Sequence, residues 1–287
     1  MSHVYRNYDQ AELDRQYTAR TGAPDWEECV ARMSAESARV RRELTTLFDV
    51  AYGPTAAEKL DIFPAARTPA PVLVFIHGGY WRMLSKDDVS LYAETFVSAG
   101  VHFVAVNYAL APGASIDEIV HQNRTALAWV WHHAAEFGGD RDRIFVAGRS
   151  AGGHLVGMML ASGWRAQFGL PDDLIKGGCA VSGLFDLEPV RLSYVNEWAR
   201  LDADSARHNS PMLHLPEVGC PLILAYGERE TDEFKRQSEI YAEAWKSKGW
   251  ICSLIELSGH HHFSSMESMN DSDDPVTSRL LANILSA

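Results

Sequence analysis

The chain has 287 residues, of which 46% are hydrophobic, enough to bury a large core in one α/β domain. A formal charge of −12 argues against nucleic acid or an anionic membrane as a partner. No run of about 18 apolar residues occurs, so no membrane-spanning helix is expected, and residues 1–10 lack the apolar stretch of a secretory signal.

In chain order, residues 9–18 read as a short helix. Asp25, with Glu28 three residues on, reads as a capping box that starts a longer one. Trp26, Val30, Met33, Ser37, Val40 and Leu44 then recur at helical spacing and form one largely apolar face. Strands are expected at 46–52, 58–63, 71–76, 101–107 and 143–147, with helices at 86–99 and 115–137 between the last three. A helix opening at Ala151 follows, then strands near 178–182, 221–226 and 251–257, a helix at 233–248 and a C-terminal helix. Continuous apolar strands alternating with helices predict a mainly parallel, eight-stranded sheet covered on both faces. The first two strands alternate more and are expected at an antiparallel edge. No repeat or linker interrupts the chain. Residues 1–287 are expected to form one domain, with about 1–45 as a helical cover and about 184–215 as a cap-like insertion. The four scattered cysteines (Cys29, Cys179, Cys220, Cys252) lack metal spacing. They read as free thiols in a reducing compartment, hence a cytoplasmic location.

Gly148-Arg-Ser-Ala-Gly152 sits between an apolar strand and a small-residue helix, as a nucleophile elbow does. The glycines let strand and helix pass closely, while the turn lifts the Ser150 hydroxyl clear of the sheet. The pattern is weak alone, because glycine and serine are common. It needs an oxyanion hole, an acid and a base in that order along the chain.

The strand ending at Ile76 runs into His77-Gly-Gly-Tyr-Trp81, at the sheet edge where open α/β folds bind ligands. The amides of Gly79, Tyr80 and Ala151 are the candidate oxyanion donors, with Gly78 as the alternative. His77 is expected to be a structural hydrogen bonder under the loop. After the last strand come His260, His261 and His262. Adjacent side chains diverge, and no second cluster is spaced to complete a coordination shell, so an imidazole base is expected rather than a metal. His262 is preferred, then His260. The acid belongs after Tyr226-Gly227, where Glu228, Glu230, Asp232 and Glu233 stand. Glu233 suits the start of the next helix and Asp232 its N-cap, leaving Glu230 and Glu228. Asp186 is read as a cap of the segment after it. Trp164, Tyr194, Trp198 and Phe185 lie in segments placed to roof a cleft, with core packing the default for each.

The His77–Trp81 box with Ser85-Lys-Asp-Asp88, the elbow with His154-Leu155, Ser182-Gly-Leu-Phe-Asp-Leu-Glu-Pro189, Asn209-Ser-Pro211 and Glu233-Phe-Lys-Arg-Gln-Ser238 together resemble the arylformamidases (kynurenine formamidases) of the α/β-hydrolase fold. The likeness spans roughly residues 10–265. It implies a serine–aspartate–histidine triad that removes a formyl group from an aryl amide, in tryptophan catabolism among other settings. Carried over, the serine is Ser150 and the histidine His262. The family's aspartate falls on Glu230, one methylene longer, so either the loop sits back or Asp232 takes the role.

The expected activity is hydrolysis of an aryl amide or small-acyl ester through an acyl-enzyme, on a small-molecule substrate, with no metal or organic cofactor. Trp81 is expected to narrow the acyl side and Phe185 to meet the substrate. Alternatives are a general carboxylesterase, a ligand-binding protein that has lost turnover, and a metal-dependent hydrolase built on His260–His262. A homodimer is left open.

Overall fold

The computed structural model describes residues 3–287; Met1 and Ser2, the start of the stretch read for a signal, lie outside the described residues. The strands are β1 (Leu47–Ala51), β2 (Lys59–Phe63), β3 (Ala70–Ile76), β4 (His102–Val106), β5 (Gly139–Arg149), β6 (Ile175–Val181), β7 (Leu222–Gly227) and β8 (Cys252–Leu257). They form one sheet in the order β1-β2-β4-β3-β5-β6-β7-β8. β1–β2 and β2–β4 pair antiparallel, and every other neighbour pair is parallel. The mostly exposed β1 ends the sheet on one side, whereas β3 and β7 are buried along their whole length.

The helices are α1 (Gln10–Gln16), α2 (Trp26–Glu43), α3 (Ala93–Ser98), α4 (Ile116–His133), α5 (Ala151–Leu160), α6 (Glu188–Leu192), α7 (Asn196–Ala199), α8 (Ala203–His208), α9 (Asp232–Ser247) and α10 (Pro275–Ser286). Alternate residues of one continuous apolar strand feed opposite cores. Val72, Val74 and Ile76 join Val104, Val146 and α4–α5 residues such as Leu127 and Leu155. Leu73 and Phe75 join Phe103, Phe145 and residues of α2, α3 and α10 such as Met33, Phe96 and Leu280.

Several boundaries move for local reasons. The expected helix at 86–99 splits into a 3-10 turn, Lys86–Tyr92, and α3. α4 ends in a 3-10 turn at Ala134–Phe137, which Gly138 stops at φ 82°. On α2 the apolar face holds, and the polar residue in it is satisfied: Ser37 Oγ donates to Asp88 O at 2.8 Å and accepts from Leu91 N at 3.1 Å. The capping box at Asp25 does not form. Its carboxylate instead accepts from His261 Nε2 at 2.7 Å. α9 begins at Asp232 with Thr231 at the cap position, so Asp232 is not the N-cap.

Candidate active site

The sheet order brings the C-terminal ends of β5, β6, β7 and β8 side by side. Ser150 follows β5 with φ 55° and ψ −121°, a backbone region that costs a non-glycine residue of order 1–3 kcal/mol. Tertiary contacts hold it there. Ser150 N donates to Val181 O at 2.8 Å, and His154 N donates to Ser150 O at 3.0 Å. A Cβ on Gly152 would strike the carbonyl of Ile76, and one on Gly148 the carbonyl of Gly152, so both positions require glycine.

His262 Nε2 lies 3.1 Å from Ser150 Oγ, and His262 Nδ1 lies 2.9 Å from Glu230 Oε2. A carboxylate only accepts, so Nδ1 carries the proton and the Nε2 lone pair faces the hydroxyl. Oε1 of Glu230 accepts from Gly227 N at 2.8 Å and from Ser182 Oγ at 2.5 Å. Burial alone would raise the Glu230 pKa, but the facing His262 and the Ser182 and Gly227 donors outweigh it and hold the carboxyl below its usual range. Burial lowers the His262 pKa, against the pull of Glu230. The base is therefore neutral and able to accept a proton near pH 7. The other acid candidates are engaged elsewhere or sit in a helix. Glu228 accepts from Ser258 Oγ at 2.9 Å and Gly259 N at 2.6 Å. Glu233 accepts from Tyr17 OH at 2.8 Å and pairs with Arg236 at 2.7 Å. Asp232 lies in the first turn of α9.

The loop after β3 crosses the elbow closely: a Cβ on Gly78 would come within 2.7 Å of Arg149 O and 3.3 Å of Ser150 Cβ. Its carbonyls are held on the buried side. Tyr108 OH donates to His77 O at 2.9 Å, and His77 Nδ1 donates to Gly78 O at 2.9 Å. The His77 ring stacks on Tyr108 at 4.0 Å. Gly79 O accepts from Arg82 N at 3.0 Å and Met83 N at 3.1 Å. In a trans peptide N–H opposes C=O, so the amides of Gly79 and Tyr80 point away from these partners. Among the described residues, the N–H groups of Gly79, Tyr80 and Ala151 have no acceptor within the protein.

Trp81 and Phe185, the two aromatics expected at the substrate, are both fully buried. The Trp81 indole N–H donates to His154 Nδ1 at 3.2 Å, and His154 Nε2 donates to Asn209 O at 2.8 Å. Phe185 stacks on Tyr241 at 4.2 Å, as core aromatics do. Trp164 is equally internal. The half-buried aromatics nearer the loop are Tyr80, whose OH donates to Tyr17 O at 2.6 Å, and Tyr194 against Trp198 at 5.5 Å. Trp198 Nε1 donates to Tyr80 O at 3.0 Å. Asp186 accepts from Glu188 N at 3.1 Å, while the cap position of α6 is Leu187, which makes no side-chain cap bond.

The three adjacent histidines do diverge. His260 lines a cavity of about 560 Å3 that lies behind the turn and includes none of Ser150, Glu230 and His262. His261 meets Asp25 and Cys29, whose ligand atoms lie within 4.8 Å of one another and of its own, a cluster that sequence spacing does not reveal. Yet His261 Nδ1 accepts from Phe263 N and Ser264 N, both at 3.2 Å. Nε2 must then carry the proton it gives to Asp25, so His261 is a donor here and not a ligand.

Two contacts of the site could not be read from the local sequence. Ser182 lies beside Glu230 only because β6 runs between β5 and β7. Gln16 reaches the acid loop from α1: Thr231 Oγ1 donates to Gln16 O at 2.5 Å, and Glu233 N to Gln16 Oε1 at 3.1 Å.

Comparison with known proteins gives the family and the fold. The family model described as BD-FAE matches residues 60–175. A kynurenine formamidase of Danio rerio is 32% identical over 98% of this chain and 98% of its own. A provisionally named thioesterase of Silicibacter sp. TM1040 superposes with a TM-score of 0.82 at 29% identity, over 96% of this chain and 99% of its own. Esterase B of Lactobacillus rhamnosis, at 15% identity and a TM-score of 0.71 over 92% of this chain and 96% of its own, shares the fold. The fold is that of the α/β-hydrolases, and the chain belongs to the kynurenine formamidase family, as a hydrolase of amide or ester substrates.

Proposed function

We propose that the protein hydrolyses an aryl formamide of the N-formyl-kynurenine type, or a small-acyl ester, through an acyl-enzyme on Ser150. The observation that carries the reading is the buried relay from Ser150 Oγ through His262 to Glu230, at 3.1 and 2.9 Å. His262 Nε2 takes the hydroxyl proton as Oγ attacks the carbonyl carbon, and Glu230 stabilises the imidazolium. The oxyanion is received by the amides of Gly79, Tyr80 and Ala151, with Gly78 as the alternative donor. His262 then protonates the leaving amine or alcohol. Water, activated by the same base, releases the acid and frees Ser150. No step calls for a metal or an organic cofactor.

The name of the Danio rerio relative supports the formamide, and the 4% exposure of Ser150 supports a small acyl group. A short-chain carboxylesterase is the second reading, supported by the esterase neighbour. A panel of N-formyl-kynurenine, other aryl amides and p-nitrophenyl esters separates them. Turnover of the formamide, with rates falling steeply from acetyl to butyryl ester, is expected. Strong ester turnover without the formamide reverses the order. A cytoplasmic homodimer completes the reading. The four free thiols support the compartment, and the exposed Leu47 and Phe48 on edge strand β1 support the assembly.

A further inference from the structure

We propose that Ser182 is a positioning residue of this reaction, its hydroxyl fixing the Glu230 carboxylate so that one oxygen faces His262. The inference rests on the serine-hydrolase reading above.

β6 carries none of Ser150, Glu230 and His262, yet it lies between β5 and β7, and Ser182 is the first residue beyond it. Its backbone adopts φ 52°, a region that disfavours every residue but glycine, although Gly183 stands next to it. Ser182 N donates to Ala225 O at 2.7 Å, which holds the residue against β7. Its side chain is fully buried, and among the described residues the only hydrogen-bond partner of Oγ is Glu230 Oε1, at 2.5 Å. Because a carboxylate cannot donate, the hydroxyl does.

A glutamate has one more rotatable bond than an aspartate, so its carboxylate must be oriented by its surroundings. Gly227 N alone, at 2.8 Å, fixes one point about which the group swings. The second donor, from a neighbouring strand, fixes the carboxylate plane and leaves Oε2 to His262 Nδ1. Without that bond the carboxylate swings about Gly227 N and holds the imidazolium less strongly, so burial prevails further and His262 protonates at lower pH.

The test compares Ser182→Ala and Ser182→Gly, in the wild-type and Glu230→Asp backgrounds, using p-nitrophenyl acetate. Glycine tolerates φ 52° and removes only the side chain, so a folded variant is secured. In the wild-type background kcat is expected to fall at least tenfold with KM within twofold, and the acid limb of kcat/KM to move down in pH. In the Glu230→Asp background the shorter side chain has already left the serine, and the further loss is expected to stay below threefold. The proposal is overturned if either Ser182 variant keeps kcat within twofold of wild type with an unmoved limb. It is also overturned if the losses are additive across the two backgrounds. Residual turnover in Ser150→Ala would instead count against the nucleophile assignment.

Discussion

His261 donates from Nε2 to Asp25 at 2.7 Å, and so ties the turn that carries His262 to the N-cap residue of α2. The same ring accepts two backbone N–H groups of that turn through Nδ1. Replacing Asp25 with Ala leaves the ring nitrogen without its partner and lets the turn drift. Small displacements of a catalytic group are costly, so kcat is expected to fall roughly two- to tenfold, with a lower Tm. Unchanged kinetics would show that α2 does not brace the turn. Incubation with a strong chelator should leave activity intact; its loss would return Asp25, Cys29 and His261 as metal ligands.

Glu230→Gln keeps the volume but replaces an acceptor with an amide. The neutral side chain cannot hold the Nδ1–H tautomer or stabilise imidazolium, and kcat is expected to fall roughly 10³- to 10⁴-fold. Single-turnover measurement should place the loss in acylation. Asp232→Asn is expected to stay within about threefold of wild type, because its carboxylate lies in the first turn of α9. The opposite ranking would transfer the acid role to Asp232.

The pH dependence follows from two shifts of the same sign. Glu230 lies below its usual value of 4.5 and His262 below 6.5. Each group binds fewer protons folded than unfolded, so both contribute stability that is lost as pH falls. The His262 contribution starts to go below its unfolded value and the Glu230 contribution at lower pH. The kcat/KM profile should be flat near pH 7 with an acid limb below 6.5, and Tm should be lower at pH 5 than at pH 7. A limb above that value would mean that Glu230 outweighs burial.

Gly78→Ala tests the loop that crosses the elbow. Its Cβ would meet Arg149 O at 2.7 Å, and a backbone atom cannot yield as a flexible side chain does. The loop must lift, carrying the Gly79 and Tyr80 amides with it. A loss of roughly 10²-fold or more in kcat is expected, with KM little changed. A variant with wild-type kcat would separate these amides from the oxyanion.

Much of the fold was legible because burial on both faces writes itself as a continuous apolar run. Val72–Ile76 and Leu222–Ala225 are such runs, and both are buried strands. The α2 face was readable from Met33, Ser37 and Val40 for the same reason. Ser150 and His262 stand just beyond strand ends, where chain order places a nucleophile and a base, whereas position left Glu230 and Glu228 open as the acid and the resemblance pointed to Glu230. Long-range partners were not legible. Asp25 has the local signature of a cap but spends its carboxylate on His261, more than two hundred residues away. Trp81 and Phe185 carry no local mark that separates a buried aromatic from one lining a cleft. Ser182 needs the sheet order before its neighbour can be named.

The most direct test is mass spectrometry of the wild-type protein after a fluorophosphonate probe, read beside turnover of N-formyl-kynurenine by wild type and Ser150→Ala. A single adduct on Ser150, with turnover lost in the variant, is predicted. An adduct on another residue, no adduct at all, or undiminished turnover in Ser150→Ala would contradict the account.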